Sequence, residues 1–355
     1  MNYNQQAFIA LVKAGLWERE ASLLPFSPIN YPSILTLAEI HGVVGLVTAG
    51  MDQVDDVKIP QEVLLQFIGA SLQLEQHNNA MSHFTNDLIN KMRAAGVYGL
   101  LVKGQSLAQC YERPLWRASG DIDLFFSRKD FKKAVSFFEP LAVEKVQDAN
   151  YTKSVGLMMD SWFVELHGTL RSGLSTRVDR VIDAVQDDTF YNGSVRAWRN
   201  GNTDVFIPGV DNDLFLLFTH FIRHFYQGEF VLRQVCDWCR FLWTFRGKIR
   251  IDLLKTRLER AGLMVEWCAF SAFIVNYLGM PIEAVPLYEV NAKWNCKAER
   301  ILNSLFKERC HNKVSNAVGV GQIFPVNTIK FLPALLFNVN GQKIKERLLG
   351  NARGY

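Results

Sequence analysis

The chain has 355 residues, of which 49% are hydrophobic and 21% are charged, with 24 Gly and 11 Pro. This composition excludes a disordered or collagen-like chain, and the length indicates two or three packed units. The 39 Lys and Arg and 35 Asp and Glu leave a net charge of +4, which is too small to argue for nucleic-acid binding. The six Cys fit ordinary core usage in a reducing compartment.

The sequence shows no targeting or membrane segment. The N-terminal residues lack a basic leader followed by a continuous apolar core, so we expect no signal peptide. No stretch approaches the roughly 18 consecutive apolar residues of a membrane span. We therefore expect a cytoplasmic protein.

The first 95 residues have the hydrophobic spacing of helices. Pro60 is predicted as the first residue of a long helix, whose apolar stripe runs from Met81 to Met92 at steps of three and four. Gly96 is its predicted end, because helices commonly end on a residue with positive φ. Since so long a helix is unusual in a globular protein, two helices with a break near residues 77–79 are the alternative.

The pattern changes to mixed α and β after residue 96. The apolar run 97–102 predicts a buried strand that leads into the loop Lys103-Gly104. Polar and apolar residues alternate at 121–126 and again at 162–167, which predicts two further strands. Helical spacing at 129–138 predicts a helix between them.

Helical spacing returns at Asp211 and continues through most of the remaining chain. The sequence thus predicts an N-terminal helical region over 1–95, a mixed core over 96–210 and a C-terminal helical region over 211–355. The expected fold class is α+β, with a small mixed sheet flanked by the two helical regions.

Asp121 and Asp123 are the first candidates for chemistry. Side chains two apart in a strand share a face and lie about 6.5–7 Å apart, so these carboxylates would project together. Two like charges that close repel unless a cation lies between them, and Mg²⁺ prefers such oxygen ligands. Glu165, in the second alternating strand, would complete a site for two ions about 3.5–4 Å apart. A solvated strand face without metal is the alternative interpretation.

Three neighbouring features favour a phosphate site beside these carboxylates. Gly120 permits the close approach of a ligand. The Lys103-Gly104 turn can present backbone N–H groups to a phosphate. Arg117 is a candidate phosphate clamp, because its guanidinium matches phosphate geometry.

Together these residues resemble a known family. The sequence resembles the uncharacterised bacterial nucleotidyltransferases of the DNA polymerase beta-like superfamily. The resemblance lies in the apolar strand, the Lys103-Gly104 loop, the short helix after it and Gly-Asp-Ile-Asp-Leu at 120–124. The segments 164–167 and 232–238 also fit, so the resemblance spans about residues 35–245.

The resemblance implies roles for individual residues. The implied metal ligands and catalytic carboxylates are Asp121, Asp123 and Glu165. Gly104 and Ser106 would correspond to the loop that holds the triphosphate. This sequence departs from the pattern there, because Gln105 separates Gly104 from Ser106, and Lys103 is a substitute phosphate contact.

His220 and His224 lie one helical turn apart and share a polar stripe with Arg223. A zinc site is the less favoured interpretation, because no third ligand is evident and the glutamate of zinc proteases is missing. The stripe would then face solvent or the catalytic cleft, and in the cleft Arg223 and His224 are candidate substrate contacts. His167 shares the strand face of Glu165 and is either a substrate contact or a structural histidine.

Cys236 and Cys239 have the C-x-x-C spacing of redox and zinc sites. They lie in a helical stretch without a second pair, and a thioredoxin-like motif would follow a strand, so we expect core packing. Asp237, four residues after Arg233, is predicted to form an ion pair within that helix.

The implied reaction is in-line attack by an acceptor on the α-phosphate of a nucleoside triphosphate, with pyrophosphate leaving. The implied cofactor is Mg²⁺, two ions in number, with Mn²⁺ as an alternative. Acceptors that fit by fold analogy are a small molecule, a protein side chain or an RNA end, and the mild charge makes nucleic acid the least favoured.

Two other functions remain open. The irregular Gly-Gln-Ser loop would suit a protein that binds nucleotides without turnover, although three carboxylates in one site argue against it. Alternatively, the chain would be an antitoxin-like protein that binds a protein partner through its helices.

Overall fold

The computed structural model describes residues 1–149, 153–307 and 318–337. Helices on two sides flank a small mixed sheet, which confirms the predicted α+β class. Residues 308–317 and 338–355, in the predicted C-terminal region, lie outside the described residues. No described helix is both long enough and apolar enough to cross a membrane.

The N-terminal region is helical, as predicted. Its helices are α1 (Tyr3–Trp17), α2 (Tyr31–His41), α3 (Val44–Met51) and α4 (Gln61–Ala94), with a short 3-10 turn at Leu24–Phe26. Pro60 is the N-cap of α4, so the helix begins one residue later than predicted. Gly96 follows the end of the helix and has φ of +67°. The alternative of a break near 77–79 is wrong, because α4 runs unbroken for 34 residues.

The five-stranded sheet lies at the centre of the chain. Its strands are β1 (Leu100–Val102), β2 (Asp121–Phe125), β3 (Glu144–Ala149), β4 (Ser154–Met159) and β5 (Trp162–His167). Their order is β1-β2-β5-β4-β3, and only the β2–β5 pair is parallel. The predicted strand at 162–167 matches β5, whereas β1 begins three residues later than predicted and β3 and β4 were not predicted.

The remaining elements surround this sheet. They are α5 (Gly104–Ala108), α6 (Phe131–Phe138), α7 (Thr176–Tyr191), the hairpin β6 (Val195–Asn200) and β7 (Thr203–Pro208), α8 (Val210–Gln227), α9 (Leu232–Phe245), α10 (Ile251–Ala261), α11 (Met264–Leu278), α12 (Ala292–Leu305) and α13 (Pro325–Phe337). Short 3-10 turns occur at Pro114–Trp116, Glu139–Leu141 and Ile282–Ala284.

The two faces of the sheet pack against different helices. Ile122 and Leu124 of β2 join a buried cluster with residues of α4 and α6. Phe125, on the opposite face, belongs to the larger cluster of the N- and C-terminal helices, and its ring lies 4.9 Å from that of Phe190 in α7. Because side chains alternate along a strand, Asp123 lies on the Phe125 face, toward the C-terminal helices.

Candidate active site

Three side chains of β2 and β5 meet on this face of the sheet. The parallel register places Asp123 beside Glu165, and His167 follows two residues later on the same face. His167 Nε2 lies 2.6 Å from Asp123 Oδ1 and 3.8 Å from Glu165 Oε2. One potential ligand atom from each residue lies within 4.8 Å of the others, and no other group of this kind was found among the described residues.

Lys103 completes the cluster from the turn after β1. It has φ 58° and ψ −152°, a conformation that only Gly adopts readily and that costs about 1–3 kcal/mol for other residues. Val102, the residue before it, pairs with Asp123 in the sheet. The turn thereby brings Lys103 Nζ to 3.0 Å from Asp123 Oδ1.

Asp123 is held in its charged form. Its side chain is 2% exposed, and burial alone would raise its pKa. The charge of Lys103 and the hydrogen bond from His167 outweigh burial, so the pKa of Asp123 lies well below its ordinary value. The buried carboxylate is therefore ionised at neutral pH, as a cation ligand must be.

The predicted phosphate loop is anchored to α4. Gly104 has φ of +41°, which explains the need for glycine at this turn. The Ser106 hydroxyl is buried and donates to the Lys103 carbonyl at 2.7 Å. Gln105, the departure from the family pattern, accepts from Thr85 Oγ1 at 2.9 Å and donates to Ser82 Oγ at 3.0 Å. The inserted side chain thus ties the loop to α4.

Arg117 lies in a buried ion pair. Its Nε and Nη2 donate to the two carboxylate oxygens of Asp237 at 3.0 and 2.6 Å. Asp237 was predicted to pair with Arg233 one turn earlier in α9, and that prediction is wrong. Arg233 instead donates to the carbonyl of Ala118, because the loop before β2 offers each of the two α9 residues its own partner.

Asp121 is the first residue of β2 and lies near Arg117 and Arg233. Burial and the charge of Arg117 lower the pKa of Arg233, while the charges of Asp237 and Asp121 act in the opposite direction. Asp121 is thus close enough to the two arginines to interact with them electrostatically. The exposed Gly120 before it borders open space, since an added Cβ would meet no atom within 4 Å.

The polar stripe of α8 faces the same region. The rings of His220 and His224 lie 4.6 Å apart, and His224 Nδ1 lies 3.1 Å from Glu229 Oε2. Burial lowers the pKa of His220 well below its ordinary value, and the nearby Lys103 charge lowers it further. The Nε atom of Arg223 is buried without a hydrogen-bond partner among the described residues. The sequence left two orientations open for this polar stripe, toward solvent or toward the catalytic cleft, and the structure favours the cleft.

The sequence reasoning missed several residues that support the site. Asn78 donates to a carbonyl of the segment before β2, Asp237 accepts from Arg117 of that segment, and Tyr111 donates its hydroxyl to Asp237. A signal was present, because Asp237 is a charged residue between Cys236 and Cys239, both fully buried in the core. A buried charge requires a partner, but the sequence does not say which one.

Comparison with known proteins gives a family match. A family model described as an uncharacterised nucleotidyltransferase matches residues 27–278, which is more than half of the chain and includes every site residue above. Neither the search of curated proteins nor the search of solved structures gave a match. On the strength of the family match, this chain belongs to that family of uncharacterised nucleotidyltransferases.

Proposed function

We propose that this protein is a Mg²⁺-dependent enzyme that transfers a nucleoside monophosphate from a nucleoside triphosphate to a small molecule or a protein. The observation that carries the proposal is the ionised, buried Asp123 beside Glu165 and His167 in a chain of the nucleotidyltransferase family. The net charge of +4 is too small to favour a long nucleic-acid acceptor.

The side chains fit a divalent metal. Carboxylate oxygens of Asp123 and Glu165 are the hard ligands that Mg²⁺ and Mn²⁺ prefer, and Asp121, two residues before Asp123 in β2, is a third carboxylate that lies outside this group. His167 offers a nitrogen, which Mn²⁺ accepts more readily than Mg²⁺. A bound metal would neutralise the charge of the leaving phosphates.

The reaction places distinct demands on the protein. The acceptor oxygen forms a bond to the α-phosphorus, the bond to the pyrophosphate oxygen breaks, and the acceptor loses a proton. Because a carboxylate with a lowered pKa is a weak base, Asp123 is suited to hold cations, and the base role falls to Asp121 or Glu165.

Positive groups around the carboxylates would position the triphosphate. Lys103 and the Gly104 turn lie next to Asp123, and we assign them to the phosphates. The α8 residues Arg223 and His224 face the same region, and we assign them to the nucleotide or the acceptor. Ser106 donates its hydroxyl to the loop itself, so we assign it to shaping the turn.

One observation favours a second candidate, a protein that binds nucleotides without turnover. Lys103 and His167 both contact Asp123 Oδ1, so two protein groups already occupy the carboxylate oxygen that a metal would use. Such a protein would bind a nucleoside triphosphate as well without Mg²⁺ as with it.

Incubation with each α-³²P-labelled ribonucleoside triphosphate and a small-molecule extract would separate the two candidates. The proposed enzyme should transfer label to an acceptor and release pyrophosphate only with Mg²⁺ or Mn²⁺, and Asp123→Asn should do neither. Nucleotide binding that needs no metal, with no label transfer, would establish the non-catalytic function instead.

A further inference from the structure

The segment from the 3-10 turn at Pro114–Trp116 to β2 is held through its carbonyl groups. Asn78 Nδ2 donates to the carbonyls of Leu115 and Arg117 at 2.7 and 2.8 Å. His77 Nε2 lies 3.1 Å from the carbonyl of Ser119. These α4 side chains hold the loop from one side.

Helix α9 holds the same loop from the other side. Asp237 receives Arg117 through two hydrogen bonds and Tyr111 through a third, from its hydroxyl at 2.8 Å. Arg233 donates to the carbonyl of Ala118. The side chains of Arg117 and Asp237 are 5% and 4% exposed, so this pair is inside the protein.

We propose that Arg117 and Asp237 are positioning residues, which fix the loop that leads into Asp121 and do not contact the nucleotide. The inference rests on the proposed function, because the residue being positioned is a carboxylate of the proposed nucleotide site. It assigns Arg117 a role different from the phosphate clamp that its residue type suggested.

The hydrogen bonds of Arg117 leave little for a phosphate. Nε and Nη2 are used by Asp237, and Nη1 donates to the Ala118 carbonyl at 3.0 Å and to Ser119 Oγ at 3.2 Å. Turning the guanidinium toward a phosphate would break the Arg117–Asp237 ion pair. The carboxylate of Asp237 would then be buried without its charged partner, which is strongly unfavourable.

The position of the loop controls the position of Asp121. Only Gly120 separates the held segment from β2, and even a Cβ added at Gly120 would meet no atom within 4 Å. Residues that orient metal ligands typically change metal affinity by about 10- to 100-fold when they are removed. Loosening the loop should therefore weaken binding of the metal–nucleotide complex without removing a ligand.

Calorimetric titration of Mg²⁺ and ribonucleoside triphosphates into variants of the pair would test this role. Arg117→Met and Asp237→Asn should each weaken binding by about 10- to 100-fold, and the double variant should be no weaker than the weaker single variant. Arg117→Lys should behave like Arg117→Met, because lysine cannot form the two parallel bonds to Asp237. Arg199→Met and Asp204→Asn, from an exposed pair on the β6–β7 hairpin, are the matched controls.

A direct phosphate contact makes the opposite prediction. Asp237→Asn would then free the guanidinium of Arg117, so nucleotide binding would be kept or tightened. Arg117→Met would lose nucleotide binding, and Arg117→Lys would retain part of it. That pattern would overturn the positioning role.

Hydrogen exchange gives a readout that does not need a nucleotide. Asp237→Asn and the milder Tyr111→Phe should speed exchange of the backbone amides of residues 118–123 relative to wild type, while amides of α12 stay unchanged. If wild type binds no nucleotide, the proposed function fails, yet this measurement still decides whether the pair holds the loop. Unchanged exchange at 118–123 in both variants would refute the positioning role.

Discussion

Lys103 combines backbone strain with a functional contact. Its positive φ is unfavourable for a side chain, yet the same turn brings Nζ to 3.0 Å from Asp123 Oδ1. Strain of this kind persists where the surrounding structure imposes it, and it concentrates at functional sites. The conformation of Lys103 therefore lowers the stability of the fold somewhat and places an ammonium group in the site.

A comparison of two substitutions at this position separates strain from charge. Lys103→Met and Lys103→Gly both remove the ammonium, but only glycine also relieves the unfavourable φ. Because glycine adds freedom to the unfolded chain, we expect a net advantage of about 1 kcal/mol for Lys103→Gly over Lys103→Met in chemical denaturation. Both variants should bind nucleoside triphosphates more weakly than wild type. A Lys103→Gly variant less stable than Lys103→Met by about 0.5–1 kcal/mol would show that the turn is unstrained, because only the cost of glycine in the unfolded chain would then remain.

His220 gives the protein a predicted dependence on pH. Its folded pKa lies well below its ordinary value, because burial and the charge of Lys103 disfavour the imidazolium. The unfolded chain then binds a proton that the folded chain does not, so stability should fall as pH falls below about 6.5, by at most about 1.4 kcal/mol per pH unit.

Urea denaturation of wild type and His220→Gln from pH 5 to pH 8 would test this. The stability difference between the two should be constant above about pH 7.5 and should shift in favour of the variant as the solution becomes more acidic. A difference that stays constant down to pH 5 would contradict the predicted pKa.

At the scale of elements, the sequence predicted those strands whose alternation of polar and apolar residues was itself enough to identify them. Trp162–His167 alternates clearly and matches β5. The sequence of β3, Glu-Lys-Val-Gln-Asp-Ala, lacks such alternation because it is an edge strand paired only with β4. The β6–β7 hairpin had a usable signal that was missed, since its two-residue loop, Gly201-Asn202, is a typical tight-turn pair and Gly201 has φ of +56°.

Helix α4 was harder to predict for a related reason. His77 and Asn78 interrupt its apolar stripe and resemble a break, but their side chains hydrogen-bond to a loop about 40 residues away in sequence. The polar residues are thus explained by tertiary partners that no local pattern shows. The same holds for Asp237, whose partner could not be chosen between Arg117 and Arg233 from sequence.

Replacing Asn78 should test its part in holding the loop. Asn78→Ala leaves the buried carbonyl of Arg117 and the part-buried carbonyl of Leu115 without their donor, which should destabilise the protein by about 1–3 kcal/mol in chemical denaturation. The neighbouring exposed residue supplies a control, because Asn79→Ala should change stability by at most about 0.5 kcal/mol. Equal effects from the two substitutions would mean that the bonds to the loop contribute nothing.

At the scale of the whole molecule, the site depends on contacts between distant parts of the chain. The spacing of Asp121 and Asp123 and the third carboxylate at Glu165 could be proposed from sequence. The β2–β5 register that brings His167 to Asp123 could not, because parallel pairing joins residues more than 40 positions apart. The contributions of α4 and α9 to the loop also require the folded chain.

The central claim is that the Asp123 cluster binds a metal–nucleotide complex. Its most direct test is calorimetric titration of the four ribonucleoside triphosphates, with and without Mg²⁺, into wild type, Asp121→Asn/Asp123→Asn and the exposed control Asp87→Asn. We predict Mg²⁺-dependent binding of at least one nucleotide by wild type and the control, and no binding by the double variant. Unchanged Mg²⁺-dependent binding by the double variant would contradict the assignment of the site.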